Sequence, residues 1–144
     1  MNVTNEVMPT DGARIAEMQE AGPDQPIIMV NLLKFKDRAE YADGRDCDLS
    51  GYDAYQLYAK EVVKLLPTFG GEGLLAGDVT FLALGQVEEL WDEVALARYP
   101  NRRALWEMSS SEAWREISVH RAAGLSGQLN IEIVEQQEFG GRKS

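Results

Sequence analysis

Histidine and cysteine are almost missing from this 144-residue chain, which has one of each, His120 and Cys47. A single cysteine excludes an intrachain disulfide, so nothing in the chain depends on an oxidising compartment. One histidine and one distant cysteine cannot build a zinc site without many carboxylates, and no metal site is expected. Long apolar runs are absent too, none approaching the roughly 20 residues that a membrane span requires. The N-terminus, MNVTNEVMPT, has neither a basic start nor an apolar stretch and does not read as a signal peptide. The Asn2-Val3-Thr4 triplet therefore carries no glycosylation meaning, and a cytoplasmic protein is expected. No G-x-S-x-G, phosphate loop or dinucleotide fingerprint occurs, and no cofactor is expected. Basic residues are scarce, 14 against 24 acidic, for a net charge of −10. Such a surface repels phosphate backbones and anionic membranes, which argues against both as partners; its main effect is solubility.

What is present describes one domain, 1–144, with a core at about 26–135 and an appended helix at 10–21. A hydrophobic content of 44% over this length supports a real core. Residues 1–9 read as a loosely held polar tail. Thr10 is placed to cap a helix running to about Glu20, with Ile15 and Met18 on one face and Gly22-Pro23 as the stop. The run IIMVNLLKFK, 27–36, has strand length and apolar residues in both phases, the mark of a strand buried on two sides. Asn31 is the anomaly in it, since an unpaired buried amide would cost about 1–3 kcal/mol.

A polar loop spans 37–49, long enough to suggest function or mobility. Its Asp46, Asp48, Ser50 and Gly51 match half of an EF-hand loop, but the position needing a bidentate glutamate is Leu57, which rules out calcium. Cys47 between two aspartates is a blunted nucleophile. Ser50 and Asp53 start a helix to about Leu66, with Tyr52, Tyr55, Ala59, Val62 and Leu66 as its apolar stripe. Residues 72–84 form a second strand with a bulge at Gly77-Asp78, and 91–99 a third, ended by Pro100. Asn101 caps a helical segment, and Ser109 with Glu112 is placed to recap it. The second segment carries Trp114, Ile117, His120 and Arg121 and stops at Gly124. Residues 128–135 alternate as a fourth strand, and 140–144 form a frayed tail.

The order β-α-β-β-α-β predicts an α+β, ferredoxin-like domain with a four-stranded antiparallel sheet and both main helices on one face. Strands one and three have apolar residues on both faces, so the uncovered face must meet something. A symmetric homodimer, sheet to sheet, is the economical answer.

VNLLKF at 30–35, SGYDAY at 50–55, the glycines at 70, 71 and 77, WDEVALARYP at 91–100 and HRAAGL at 120–125 together closely resemble domain-of-unknown-function family 1330 (DUF1330). The resemblance covers about residues 10–135 and implies the dimeric α+β barrel superfamily. That superfamily includes cofactor-free monooxygenases, lactone isomerases, haem-degrading enzymes and regulatory ligand-binding domains. The family brings no assigned activity, and a shared fold does not choose among these.

Two constellations can carry chemistry. His120 alone has an ordinary pKa near neutrality. It reads either as a general acid–base group (or an axial haem ligand) or as a helix-ending residue bonded to a carbonyl. Arg121 beside it fits a substrate carboxylate, or an ion pair with Glu116 or Glu132. Asn31, Trp91, Glu93 and Tyr99 form the second set. Trp91, Glu93, Ala95, Ala97 and Tyr99 share a strand face on which the alanines leave room, and with Asn31 they are expected to surround a cleft inside the dimer barrel that takes an unknown small organic ligand. Two functions follow. One is a cofactor-free oxygenase or isomerase in which His120 moves a proton and Arg121 and Asn31 hold an oxyanion. The other is a non-catalytic ligand-binding or regulatory dimer.

Overall fold

The computed structural model describes residues 1–141, so the last three residues of the expected frayed tail lie outside it. Its strands are β1 (Ile27–Phe35), β2 (Glu72–Asp78), β3 (Glu93–Tyr99) and β4 (Leu125–Ile133); its helices are α1 (Gly12–Met18), α2 (Gly51–Leu65), α3 (Arg102–Ser109) and α4 (Glu112–Gly124). A 3-10 turn, Leu66–Phe69, follows α2 and ends at Gly70, whose φ of 76° is left-handed and suits glycine. The sheet order is β2-β3-β1-β4, antiparallel throughout. This is the expected ferredoxin-like α+β arrangement.

β1 is apolar in both phases because it is central, paired with β3 on one side and β4 on the other. Ile27 and Leu33 are wholly buried under the helices, each contributing about 1.5–3 kcal/mol through burial. Ile27 and Met29 pack with Leu66, Tyr99 and Met108, and Leu33 packs with Tyr55, Tyr58 and Leu125. The opposite sheet face carries Val30, Leu32, Val94, Leu96, Leu129, Ile131 and Ile133 in register. Among the described residues no helix packs across it; Ile131 and Ile133 are exposed, while Ile28 at its end is buried.

The helix starts follow their side chains. Ser50 Oγ accepts from Asp53 N at 3.0 Å, and Asn101 Oδ1 accepts from Ala104 N at 2.9 Å. Two caps differ from expectation. Asp11 rather than Thr10 caps α1, because a carboxylate reaches the free N–H groups two and three residues on. Ser111 rather than Ser109 caps α4, while the Ser109 hydroxyl donates back to Leu105 O. β2 ends at Asp78, not residue 84, and β3 begins at Glu93, not Trp91. β2 is an edge strand that pairs only with β3, and past the Val79–Asp92 backbone bond the two segments separate. The bulge in β2 falls between Gly73 and Leu75 instead of at Gly77-Asp78. β4 begins three residues before expectation, directly from the end of α4.

Residues 1–9 are not loose along their whole length. Glu6 N donates to Gln128 O at 3.1 Å, and Val7 packs against the Leu33 cluster. The 37–49 loop packs through Ala39 and Tyr41 on Ala54 and Ala123, on the flank of α2 and α4. Gly51 and Gly124 make this flank possible. A Cβ on Gly51 would run into the carbonyls of Lys36 and Gly124, and one on Gly124 into the Gly51 carbonyl. Close approach, and not backbone conformation, requires glycine at both. Gly51→Ala should therefore destabilise the fold by about 1–3 kcal/mol, the cost of an overpacked site, read as a lower urea midpoint with the denaturant slope unchanged.

Candidate functional site

A cavity of about 610 Å³ lies between the helix-covered sheet face and α2, α3 and α4. Strand register places its floor: Asn31 pairs with Ala95 and Asn130, and Ile27 with Tyr99. Side chains at these positions and at Glu93 and Ala97 therefore point to the same side. Ala95 and Ala97 fail to fill the space under α2, and that missing volume is the cavity. This corrects the expected position of the cleft. The residues face the subunit's own helices, not a space between two sheets, because the face carrying Asn31 is the one the helices cover.

Four of the six residues expected to serve a site line this cavity: Asn31, Glu93, Tyr99 and Arg121. A polar chain links two of them. Arg121 Nη2 donates to Gln128 Oε1 at 2.6 Å and to Val7 O at 2.9 Å. Gln128 Nε2 donates to Asn31 Oδ1 at 2.7 Å, and Asn31 Nδ2 donates to Ala95 O at 3.1 Å. The Asn31 amide is thus satisfied on both ends, which explains how it sits in an apolar strand. Arg121 pairs with neither Glu116 nor Glu132; Glu132 is held by Arg102. Among the described residues the Arg121 guanidinium meets no carboxylate, and its Nη1 touches only Met8 Sδ at 3.9 Å.

Glu93 is buried, with Oε1 accepting from Gln56 Nε2 at 3.0 Å. Burial, with a smaller contribution from Asp78, raises its pKa against the Gln56 hydrogen bond. Tyr55 and Tyr99 are buried as well, and burial pushes both hydroxyls well above the usual phenol range. Among the described residues neither hydroxyl finds a hydrogen-bond partner, yet no enclosed side-chain polar atom is left unsatisfied. Both hydroxyls therefore open into the cavity. Tyr58 Oη accepts from Trp114 Nε1 at 3.0 Å, leaving its own proton to donate. An apolar chamber with several unspent polar groups is the usual form of a small-molecule site.

His120 and Trp91 do not line the cavity. His120 Nδ1 lies 2.6 Å from Tyr41 Oη, edge-on to that ring, on the side of α4 that faces the 37–49 loop. The Arg45 guanidinium stacks over the Tyr41 ring, 4.5 Å from its centroid. His120 and its neighbour Arg121 point apart because consecutive helical residues are about 100° apart around the axis. Trp91 precedes β3 and donates to Asn5 Oδ1 at 2.9 Å. Among the described residues, no three His, Cys, Asp or Glu side chains are grouped to hold a metal ion, and no helix is long and apolar enough to cross a membrane.

Sequence reasoning missed Gln128, Gln56, the Tyr55 and Tyr58 hydroxyls and the Val7–Pro9 segment at the cavity edge. Only Gln128 left a signal: it shares the phase of Asn130, opposite Leu129 and Ile131.

No protein-family model matches the chain, and no curated protein matches it. Solved structures do. A protein of unknown function from Rhodopseudomonas palustris, RPA0582, superposes with a TM-score of 0.80 at 27% identity, over 94% of this chain and all of that one. Its methylated form superposes with a TM-score of 0.81 at 29% identity, over 94% and 98%. A dimeric protein of unknown function and ferredoxin-like fold from Bacteroides fragilis aligns over 75% of this chain and 94% of its own, with 12% identity and a TM-score of 0.48. That last likeness is too distant to bear on function.

Two outcomes test the placement of these side chains. His120→Ala should speed amide hydrogen exchange in 37–49 while leaving ligand binding in the cavity unchanged. Glu93→Gln should stabilise the protein at neutral pH. A glutamate whose folded pKa is raised favours folding only while protonated, and that contribution is lost as pH rises through the folded value. The melting-temperature gain of the variant should therefore shrink as pH falls toward and below 4.5, the ordinary glutamate value.

Proposed function

We propose that this protein binds a small, largely apolar organic molecule inside each subunit, and that it does so as a homodimer joined through the open sheet face. The observation that carries the reading is the chamber itself: alanines at 95 and 97 leave space under aromatic and aliphatic walls, with the Tyr55 and Tyr99 hydroxyls unspent. The cavity opens to solvent beside Val63, Leu74 and Leu75, so its apolar walls stand in water unless something occupies it. The dimer rests on the half-exposed Val30, Leu32, Leu96 and Leu129 and the exposed Ile131, a contiguous apolar face of the kind that pairs with its own copy. The ordered motifs from VNLLKF to HRAAGL support placing the chain with DUF1330.

A binding cleft is favoured over proton transfer by His120, whichever of the two functions the cleft serves. His120 is turned to Tyr41 and away from the cavity, and general acid–base chemistry needs hydrogen-bond reach to the substrate.

Light scattering together with saturation-transfer NMR, using 2-naphthol as probe, tests both parts. The wild type should be a dimer that transfers saturation to 2-naphthol. Ala97→Phe should lose the probe and keep the dimer, and Ile131→Lys should lose the dimer and keep the probe. Equal 2-naphthol binding by Ala97→Phe would mean that the probe does not sit in the cavity.

A further inference from the structure

We infer that Glu93 is a catalytic base in this cavity, enolising a 2-oxo acid with an apolar substituent whose carboxylate is held by Arg121 and whose keto oxygen is held by the Tyr55 hydroxyl. The inference rests on the small-molecule reading of the cavity and names the substrate class. Three observations carry it. Arg121 brings a guanidinium to the cavity with no carboxylate partner among the described residues, and its Nη1 meets only the Met8 sulfur. A half-buried guanidinium whose protein partners are all neutral leaves its charge for an anionic group on the ligand, and guanidinium matches a carboxylate in geometry as well as charge. Glu93, on β3, is a buried carboxylate facing the same chamber; among the described residues it has no cationic partner, and only Oε1 is occupied, by Gln56. Tyr55 packs on Leu33, which is flanked in register by Glu93 on one side and by Gln128, the partner of Arg121, on the other. A base, an oxygen-directed donor and a carboxylate anchor thus border one space, with Ala95, Ala97 and Val62 as its apolar walls.

The chemistry balances without any other reactant. The C–H bond at C3 of the 2-oxo acid breaks and its proton goes to Glu93. The electron pair forms the C2–C3 double bond, and the keto oxygen becomes an enolate oxygen stabilised by the Tyr55 hydroxyl. The Glu93 carboxyl proton exchanges with solvent water, and delivery of the exchanged proton from Glu93 back to C3 restores the ketone, so that in D₂O the C3 position becomes deuterated. Burial of Glu93 suits the task, because a carboxylate held above its usual pKa is a stronger base once ionised.

The test is exchange of the benzylic protons of phenylpyruvate in D₂O, followed by proton NMR and compared with buffer alone. Wild-type protein should exchange them faster than buffer. Glu93→Gln should lose about 10²-fold or more of the enzymic rate, the usual contribution of a positioned base, while phenylpyruvate still shows saturation transfer. Glu93→Asp should recover part of the rate. Bound phenylpyruvate that exchanges no faster than in buffer overturns the inference, as does undiminished exchange by Glu93→Gln. If 2-naphthol binds and phenylpyruvate does not, the 2-oxo acid assignment is overturned and the cavity reading stands. If neither binds, both fall.

Discussion

The approach of α2 to α4 at Gly51 and Gly124 is the constraint on which the rest of the molecule depends. Lys36 N donates to Gly124 O at 2.8 Å, and Gly51 N donates to Lys36 O at 3.0 Å, so the end of β1 is stitched to both helices at one point. Neither glycine has room for a Cβ. From this tight end the helices run over the sheet, and the small residues Ala95 and Ala97 then let a gap open beneath α2. A domain that is over-close at one end and underfilled further along has a built-in chamber, and the packing of Leu33, Tyr55, Tyr58 and Leu125 holds its walls in place.

The same end of the molecule separates two side chains that are neighbours in sequence. His120 faces outward to Tyr41 and helps to fasten the 37–49 loop, whereas Arg121 turns inward to Gln128 and the N-terminal segment. The histidine thus takes part in holding a loop, and the ionisable groups of the chamber are Arg121, Glu93 and the tyrosines. Burial pushes Glu93 toward its neutral form against the single hydrogen bond it accepts from Gln56.

Much of this was legible before any coordinates. The both-sided apolar run of 27–35 marked a central strand, because only a central strand with two pairing neighbours and two faces to cover tolerates that pattern. Ser50 and Asn101 announced their helices through the local chemistry of capping. Asn31, Glu93 and Tyr99 were recognisable as members of one face, since the alternation of a strand is strict. The limits of β2 and β3 were not readable, because an edge strand lasts only as long as its partner stays beside it. Nor was the role of the first nine residues, whose polar composition gives no hint that Glu6 and Val7 dock on β4 and α4.

What the sequence by itself determined is the element order, the fold class and the set of side chains that share the Asn31 face. These follow from periodicity, capping and turn chemistry, which act between residues close in the chain. Tertiary structure alone decided which side of the sheet the helices cover, and so whether that face opens into the subunit or toward a second sheet. It also decided that His120 lies outside the chamber and that Tyr55, Gln56 and Gln128 lie within reach of it. Those outcomes depend on the crossing of helices far apart in sequence, where a rotation of one residue about a helix axis moves a side chain from the chamber to the opposite flank.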